Sequence, residues 1–226
     1  MYVDGVAILA RGIAARGPAG IVFANLDLRV EPGALAVVAG PAGTGRTSLL
    51  LALSGRLPLI TGYLDVSGHV LPAQAKAVRQ LILPARLRPG YELENKHRVR
   101  EAIMERRLIS GVSERSIDAA LDKVRIAPDR TALIDELHPA ERLLLAVALT
   151  VAAEPAGILV DDVDAGLPMS ARAQVWAGLR EVTRTGMTVL ASATDPPSGD
   201  VELIPLPARE PDRPTKVLDL QEEVTR

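Results

Sequence analysis

The sequence has 226 residues, 48% of them hydrophobic, yet only five aromatics; alanine, leucine and valine carry the apolar bulk. A formal net charge of −2 gives no global attraction to nucleic acid or to an anionic membrane, and zero cysteines exclude disulfides and thiolate metal sites. That length is enough for one large α/β domain with a real core.

Val6 to Leu9 and Ile21 to Val30 alternate apolar and polar positions between Gly-rich turns. They predict antiparallel strands leading to the turn Glu31-Pro32-Gly33. Ala34 to Ala39 is an unbroken apolar run, the pattern of a buried strand. Then comes Gly40-Pro41-Ala42-Gly43-Thr44-Gly45-Arg46-Thr47, a phosphate-binding P-loop with arginine where the motif has lysine. Its glycines tolerate positive φ and leave no Cβ in the way, so successive N–H groups can converge on phosphate oxygens. Thr47 to Leu53 reads as the start of a helix, whose N-terminus adds its positive end to the loop. The candidate nucleotide-binding residues are Gly40, Pro41, Ala42, Gly43, Thr44, Gly45, Arg46, Thr47 and Ser48, with the Thr47 hydroxyl as a candidate Mg²⁺ ligand.

Gly55, Pro58 and Gly62 punctuate the next stretch; Tyr63 to Val66 predicts a short strand before Gly68. Leu81 to Leu83 is another apolar run, stopped by Pro84, and Gln80 is read as a strand residue. From 85 to about 140 the character changes. Val99, Ala102, Ile103 and Ile109 share a helical face that starts after a cap at Asn95 and ends at Gly111. Ser113 caps a second helix carrying Ile117, Leu121 and Val124. Arginines at 86, 88, 98, 100, 106 and 107 are interleaved with glutamates, which marks a solvated helix face and predicts no nucleic-acid partner.

Glu141 to Ala153 predicts a third helix. Its apolar run from Leu143 is too short to span a bilayer, and Asp4 and Gly5 interrupt any signal peptide. The chain is therefore expected to be soluble, with any membrane role supplied by a partner. Ala156 to Val160 is a strand running straight into Asp161-Asp162. A carboxylate at the C-terminal end of such a strand lies beside the P-loop, where it can hold Mg²⁺; Asp161 is the candidate. Asp162 is the candidate catalytic residue, polarising the attacking water, although two acids there would also simply solvate a strand-to-turn junction. Ser170 is the expected cap of a helix with Val175, Leu179 and Val182 in register, closed by Gly186, and Thr188 to Ala191 is a further buried strand. From Pro205 the chain turns proline- and charge-rich and reads as a loose appendage. His69, His97 and His138 are too scattered to predict a metal site.

The layout resembles the ATP-binding cassette (ABC) family, the ATPase subunits of ABC transporters, over about residues 3 to 205. Pro58-Leu59-Ile60-Thr61-Gly62 is similar to the family's Pro-Thr-Ser-Gly turn. Leu137-His138-Pro139-Ala140-Glu141-Arg142 occupies the place of its Leu-Ser-Gly-Gly-Gln signature, 24 residues before Asp161, the family's usual separation. The resemblance implies an α/β P-loop NTPase fold: a RecA-like core, an N-terminal antiparallel β element and a helical subdomain at about 85–150, with residues 206–226 as a tail. It also implies ATP and Mg²⁺ as ligands, and a transmembrane permease subunit and a second ABC-type ATP-binding subunit as partners. That second subunit is either another copy or a different chain, and the location is cytoplasmic, peripheral to the inner membrane face.

Several family positions are altered. Arg46 brings a planar fork in place of a compact ammonium. Asp162 stands where the family has its catalytic glutamate, one methylene (about 1.5 Å) shorter. Pro139 has no N–H and Ala140 lacks glycine's freedom, where the signature grips the γ-phosphate of the opposite subunit's ATP. Lost donors at developing charge cost about 2.7–4 kcal/mol each in enzymes. Thr194 falls at the switch histidine, Pro168 at the aspartate ending the next loop, and Ala85 or Arg86 at a glutamine. Near Ala15 to Gly17, where the family stacks adenine, no aromatic lies; Tyr2 and Phe23 are nearest and read as structural. Three functions stand: an ATP-hydrolysing transporter subunit with weak turnover, a non-hydrolysing nucleotide-responsive pseudo-ATPase, and an unrelated P-loop enzyme such as a small-molecule kinase. The spacing from insertion to signature to Asp161 argues against the last.

Overall fold

The computed structural model describes residues 3–18 and 20–207. Its strands are β1 (Ile8–Gly17), β2 (Gly20–Val30), β3 (Leu35–Ala39), β4 (Leu59–Val66), β5 (His69–Leu71), β6 (Ile82–Arg86), β7 (Gly157–Val160), β8 (Thr188–Ala193) and β9 (Glu202–Pro205). Its helices are α1 (Arg46–Leu53), α2 (Ala75–Leu81), α3 (Val99–Ser110), α4 (Glu114–Lys123), α5 (Pro139–Val151) and α6 (Met169–Thr183). Two sheets form: an antiparallel one in the order β2-β1-β4-β5 and a parallel one in the order β6-β7-β8-β3-β9.

Strand alternation explains how the parallel sheet becomes the middle layer. Successive side chains of a strand point to opposite faces. Val37, Ile158, Val160, Val189 and Ala191 enter a core shared with α3 to α6, whereas Ala36, Val38, Leu159 and Leu190 enter one shared with α1 and the antiparallel sheet. Buried on both faces, β3, β7 and β8 carry continuous apolar runs, as parallel strands do. The second core also takes Ile8, Ile13, Phe23, Leu64 and Val66 from the antiparallel sheet. Phe23 is thus a core residue, packed opposite Ala15 in the β1–β2 register.

The sequence-based boundaries need correction at several places. The first strand extends from Ile8 to Gly17, with register shifts near Gly12 (φ 56) that admit its polar and glycine positions. The Pro58 to Gly62 segment is no separate turn: β4 starts at Leu59 and absorbs Gly62 at φ 96, where a Cβ would fall 2.5 Å from the Ile13 Cα. Gln80 is on α2 rather than a strand. Pro84 lies inside β6 instead of stopping it, because β6 is an edge strand with one side free of ladder bonds. The cap of α3 is Arg98, whose N–H donates to Glu101 at 2.7 Å, and not Asn95. Helix α5 starts at Pro139, two residues before Glu141, since proline at the first helical position has no N–H to strand. Pro168 rather than Ser170 is the N-cap of α6. Ser113 caps α4 as expected, accepting from the Ser116 N–H at 3.0 Å. Pro205, where a loose appendage was expected to begin, instead closes β9 (Glu202–Pro205), and Leu206 still donates its N–H to the Ala39 carbonyl at 2.7 Å. Tyr2 and residues 208–226 of the expected tail lie outside the described residues.

Candidate functional site

The loop between β3 and α1 is shaped by its glycines. Gly43 (φ 81) and Gly45 (φ 96) adopt left-handed conformations that L side chains resist. A Cβ on Gly40 would fall 2.2 Å from the Leu206 carbonyl oxygen, so only glycine fits beside β9. Pro41, Ala42 and Gly43 are exposed at the rim, while Thr44 is buried and its Oγ1 donates back to the Pro41 carbonyl at 3.0 Å. Among the described residues, the N–H groups of Ala42 and Gly43 have no protein acceptor. Gly45 is the N-cap of α1 and provides no side-chain cap, so the first-turn N–H groups of α1 are left to an external acceptor. Thr47 lies in that first turn and Ser48 follows it, both half-buried.

Beneath the loop stand the two acids. Asp161 is 1% exposed, and both of its carboxylate oxygens are held: Oδ2 accepts from Thr47 Oγ1 at 2.8 Å and Oδ1 from Ser192 Oγ at 2.5 Å. The same Ser192 hydroxyl accepts from the Asp162 N–H at 2.8 Å. Arg86 seals the other side: its Nε donates to the Asp161 carbonyl at 2.9 Å, and its Nη2 to the carbonyls of Asp161 and Asp162. Burial, and then the neighbouring Arg88, push the Arg86 pKa below its ordinary value, opposed by Asp162 and Asp161. Held in this way, Asp162 takes a left-handed conformation (φ 50) and turns its carboxylate to Arg46, whose Nη2 donates to Oδ1 at 2.6 Å. Arg46 Nη1 donates to Thr194 Oγ1 at 2.7 Å and to the Gly40 carbonyl. Asp164 completes the corner by accepting the N–H groups of Thr194 and Asp195 at 2.8–3.1 Å.

The expected residues of loop, α1 and β7 therefore converge on one end of the parallel sheet. A hydroxyl and a carboxylate in contact form a hard oxygen pair of the kind Mg²⁺ takes together with phosphate oxygens, so the donor set fits that ion. Three participants were not foreseen. Ser192 is the lone polar residue near the end of an apolar strand predicted to stop at Ala191, and that solitary hydroxyl was the available signal. Asp164 carried a weaker one, as a third acid in the same turn. Arg86, expected on a solvated helix face and at the place of a glutamine, instead ends β6 and turns inward; its grip on two carbonyls depends on the pairing of β6 with β7, which no local pattern reveals.

The signature position differs. His138 is the N-cap of α5, and its Nδ1 accepts from the Ala140 N–H at 3.4 Å. Pro139 occupies the first turn with no donor, and Ala140 is fully buried. Among the described residues no group of three or more histidine, cysteine or acidic side chains is placed to hold a metal.

A parallel sheet with a phosphate loop at the carboxyl ends of its strands defines the P-loop NTPase fold class. The ABC transporter family model matches residues 23–165, and the chain belongs to that family. It is 30% identical over 168 residues to the daunorubicin resistance ATP-binding protein DrrA3 of Streptomyces coeruleorubidus, covering 74% of this chain and 53% of that protein. It is 28% identical over 174 residues to the Nod factor export ATP-binding protein I of Cupriavidus pinatubonensis, covering 75% and 53%. The chain thus spans about half the length of these curated relatives. Among solved structures, cbiO1 of Clostridium perfringens, part of the ABC transporter complex cbiONQ, superposes with a TM-score of 0.72 at 17% identity, over 83% of this chain and 78% of that one. A putative ABC transporter ATP-binding protein of Pyrococcus furiosus gives 0.71 at 21% identity, over 88% and 97%.

Proposed function

We propose that the chain is the ATP-binding subunit of an ABC-type membrane transporter, with weak hydrolysis. The observation that carries the reading is the Thr47–Asp161 contact of 2.8 Å directly under the uncapped N-terminus of α1. Gly40 to Ser48 cradle the nucleotide phosphates, and Thr47 and Asp161 hold Mg²⁺, which supplies charge compensation to the phosphates when bound. Asp162 is the acid available to orient water. Residues 1–205 form one nucleotide-binding domain with a helical subdomain at about 85–150. The partners are a transmembrane permease subunit and a second cassette subunit, and the location is cytoplasmic at the membrane. No helix among the described residues is long and apolar enough to cross a membrane, which accords with a separate permease.

A specific observation favours a second reading, a nucleotide-responsive pseudo-ATPase. The Asp162 carboxylate is paired with Arg46, Thr194 replaces a titratable imidazole, and Pro139 offers no donor. The experiment measures ATP affinity and turnover in parallel on the purified protein. Turnover at or above about 10 s⁻¹ rejects weak hydrolysis, and absence of ATP binding rejects both readings. Arg46→Lys is expected to leave turnover flat, because one restored ammonium cannot restore donors missing at the signature.

A further inference from the structure

Arg46 is tied to three elements at once. Its guanidinium reaches the first residue of the loop through the Gly40 carbonyl, the end of β8 through Thr194 Oγ1, and the end of β7 through Asp162 Oδ1. The Arg46 side chain is 10% exposed and that of Asp162 29%, so the pair is shielded on one side and open on the other. A lysine has a single nitrogen; only a fork presents two nitrogens to acceptors lying on different sides. Asp162 is no casual partner either. Ser192 holds its N–H, Arg86 holds its carbonyl, and its left-handed backbone fixes where the carboxylate points. Charge-assisted bonds of this kind are among the stronger ones a protein makes.

We propose that the Arg46–Asp162 pair is a latch over the phosphate site, a deepening of the nucleotide-binding reading on which it rests. In the empty protein the Asp162 carboxylate occupies the guanidinium that a polyphosphate needs, and so acts as an internal anionic competitor. Nucleotide binding exchanges one anion for another on Arg46 and frees Asp162. Two events that are independent when a lysine leaves the acid alone are thereby linked: loading of the loop and release of the acid beside it. By linkage, whatever strengthens the latch weakens nucleotide binding by the same factor. Arg46 is a positioning residue for Asp162 in the empty state and a phosphate contact in the loaded one.

The test is a double-mutant cycle on the full chain with Asp162→Asn, which is isosteric, and Arg46→Gln, which shortens the side chain and takes away the guanidinium; each removes one charge. ATP with Mg²⁺ is titrated by calorimetry, and the empty proteins are unfolded in urea. Asp162→Asn should tighten ATP binding by about fivefold or more, the lower end of coupling between linked sites. In the Arg46→Gln background the same change should alter affinity less than about twofold. The empty double variant should be no less stable than the weaker single variant. Unchanged or weaker ATP binding by Asp162→Asn overturns the latch. Equal tightening in both backgrounds also overturns it, because that is simple repulsion between an acid and a polyanion. If the Arg46→Gln proteins bind too weakly to titrate, additive losses in the urea experiment overturn it and non-additive losses support it. Saturable binding without coupling defeats the latch alone; no saturable binding by the wild type or any variant defeats the nucleotide-binding reading and the latch with it.

Discussion

The phosphate-loop corner and the N-terminus of α5 depart from the family pattern in opposite ways. At the loop corner the substitutions exchange parts but leave nearly every polar group partnered: Arg46 replaces lysine and finds three acceptors, and Ser192 serves Asp161 and Asp162 together. At α5 the substitutions take donors away. Pro139 has no N–H, and the Ala140 N–H is engaged at 3.4 Å by its own neighbour, His138. A buried corner enforces compensation, because an orphaned polar atom there costs about 1–3 kcal/mol. At the start of α5 the exposed His138 and Pro139 enforce none, since water satisfies what the chain does not there, while Ala140 beside them buries only a methyl group. The first region keeps its polar groups paired inside the fold; the second lacks donors that the fold itself does not require.

The sharpest way to break this comparison is Asp161→Ala. It strands the hydroxyls of Thr47 and Ser192, and should cost about 2–4 kcal/mol, lowering Tm by about 5–15 °C. A calorimetric scan of the empty protein reads the loss, and a shift under about 2 °C would mean the corner imposes no such constraint on folding. Ala140→Gly probes the other region. Glycine near the start of α5 should cost the usual helix penalty plus one buried methyl, about 1–2 kcal/mol, or about 2–8 °C in the same scan. If it costs as much as Asp161→Ala, the contrast between the regions fails.

The smallest effect lies on β9. Burial, foremost, raises the Glu202 carboxyl above its ordinary value of 4.5, opposed by the hydrogen bond from the Glu31 N–H. An acid whose folded-state pKa is raised costs stability as pH climbs from the unfolded value through the folded one, and costs nothing below both. Glu202→Gln should therefore raise Tm at neutral pH by no more than about 1–2 °C, and the gain should vanish below about pH 4. A gain that persists in acid would contradict the sign of that shift.

The parts legible from sequence were those with local signatures. The glycine spacing of 40 to 45, the apolar run ending at Asp161 and the serine before α4 each encode their structure within a few residues. What stayed hidden depends on pairing between distant segments. Pro84 reads as a strand breaker until β6 proves to be an edge, and Gln80 reads as strand until α2 proves to contain it. Ser192 and Arg86 matter only because β8 and β6 flank β7 in the sheet. Helix starts were misplaced where Arg98 and Pro168 stand as caps in place of Asn95 and Ser170, and where Pro139 opens α5 two residues early behind a His138 cap.

The closure of β9 over Gly40 has a mechanical corollary. Leu206 hydrogen-bonds the residue just before the loop, and its carbonyl leaves no room for a methyl group on Gly40. Any displacement of Leu206 is therefore passed directly to Ala39 and Gly40, the two residues at which β3 gives way to the loop.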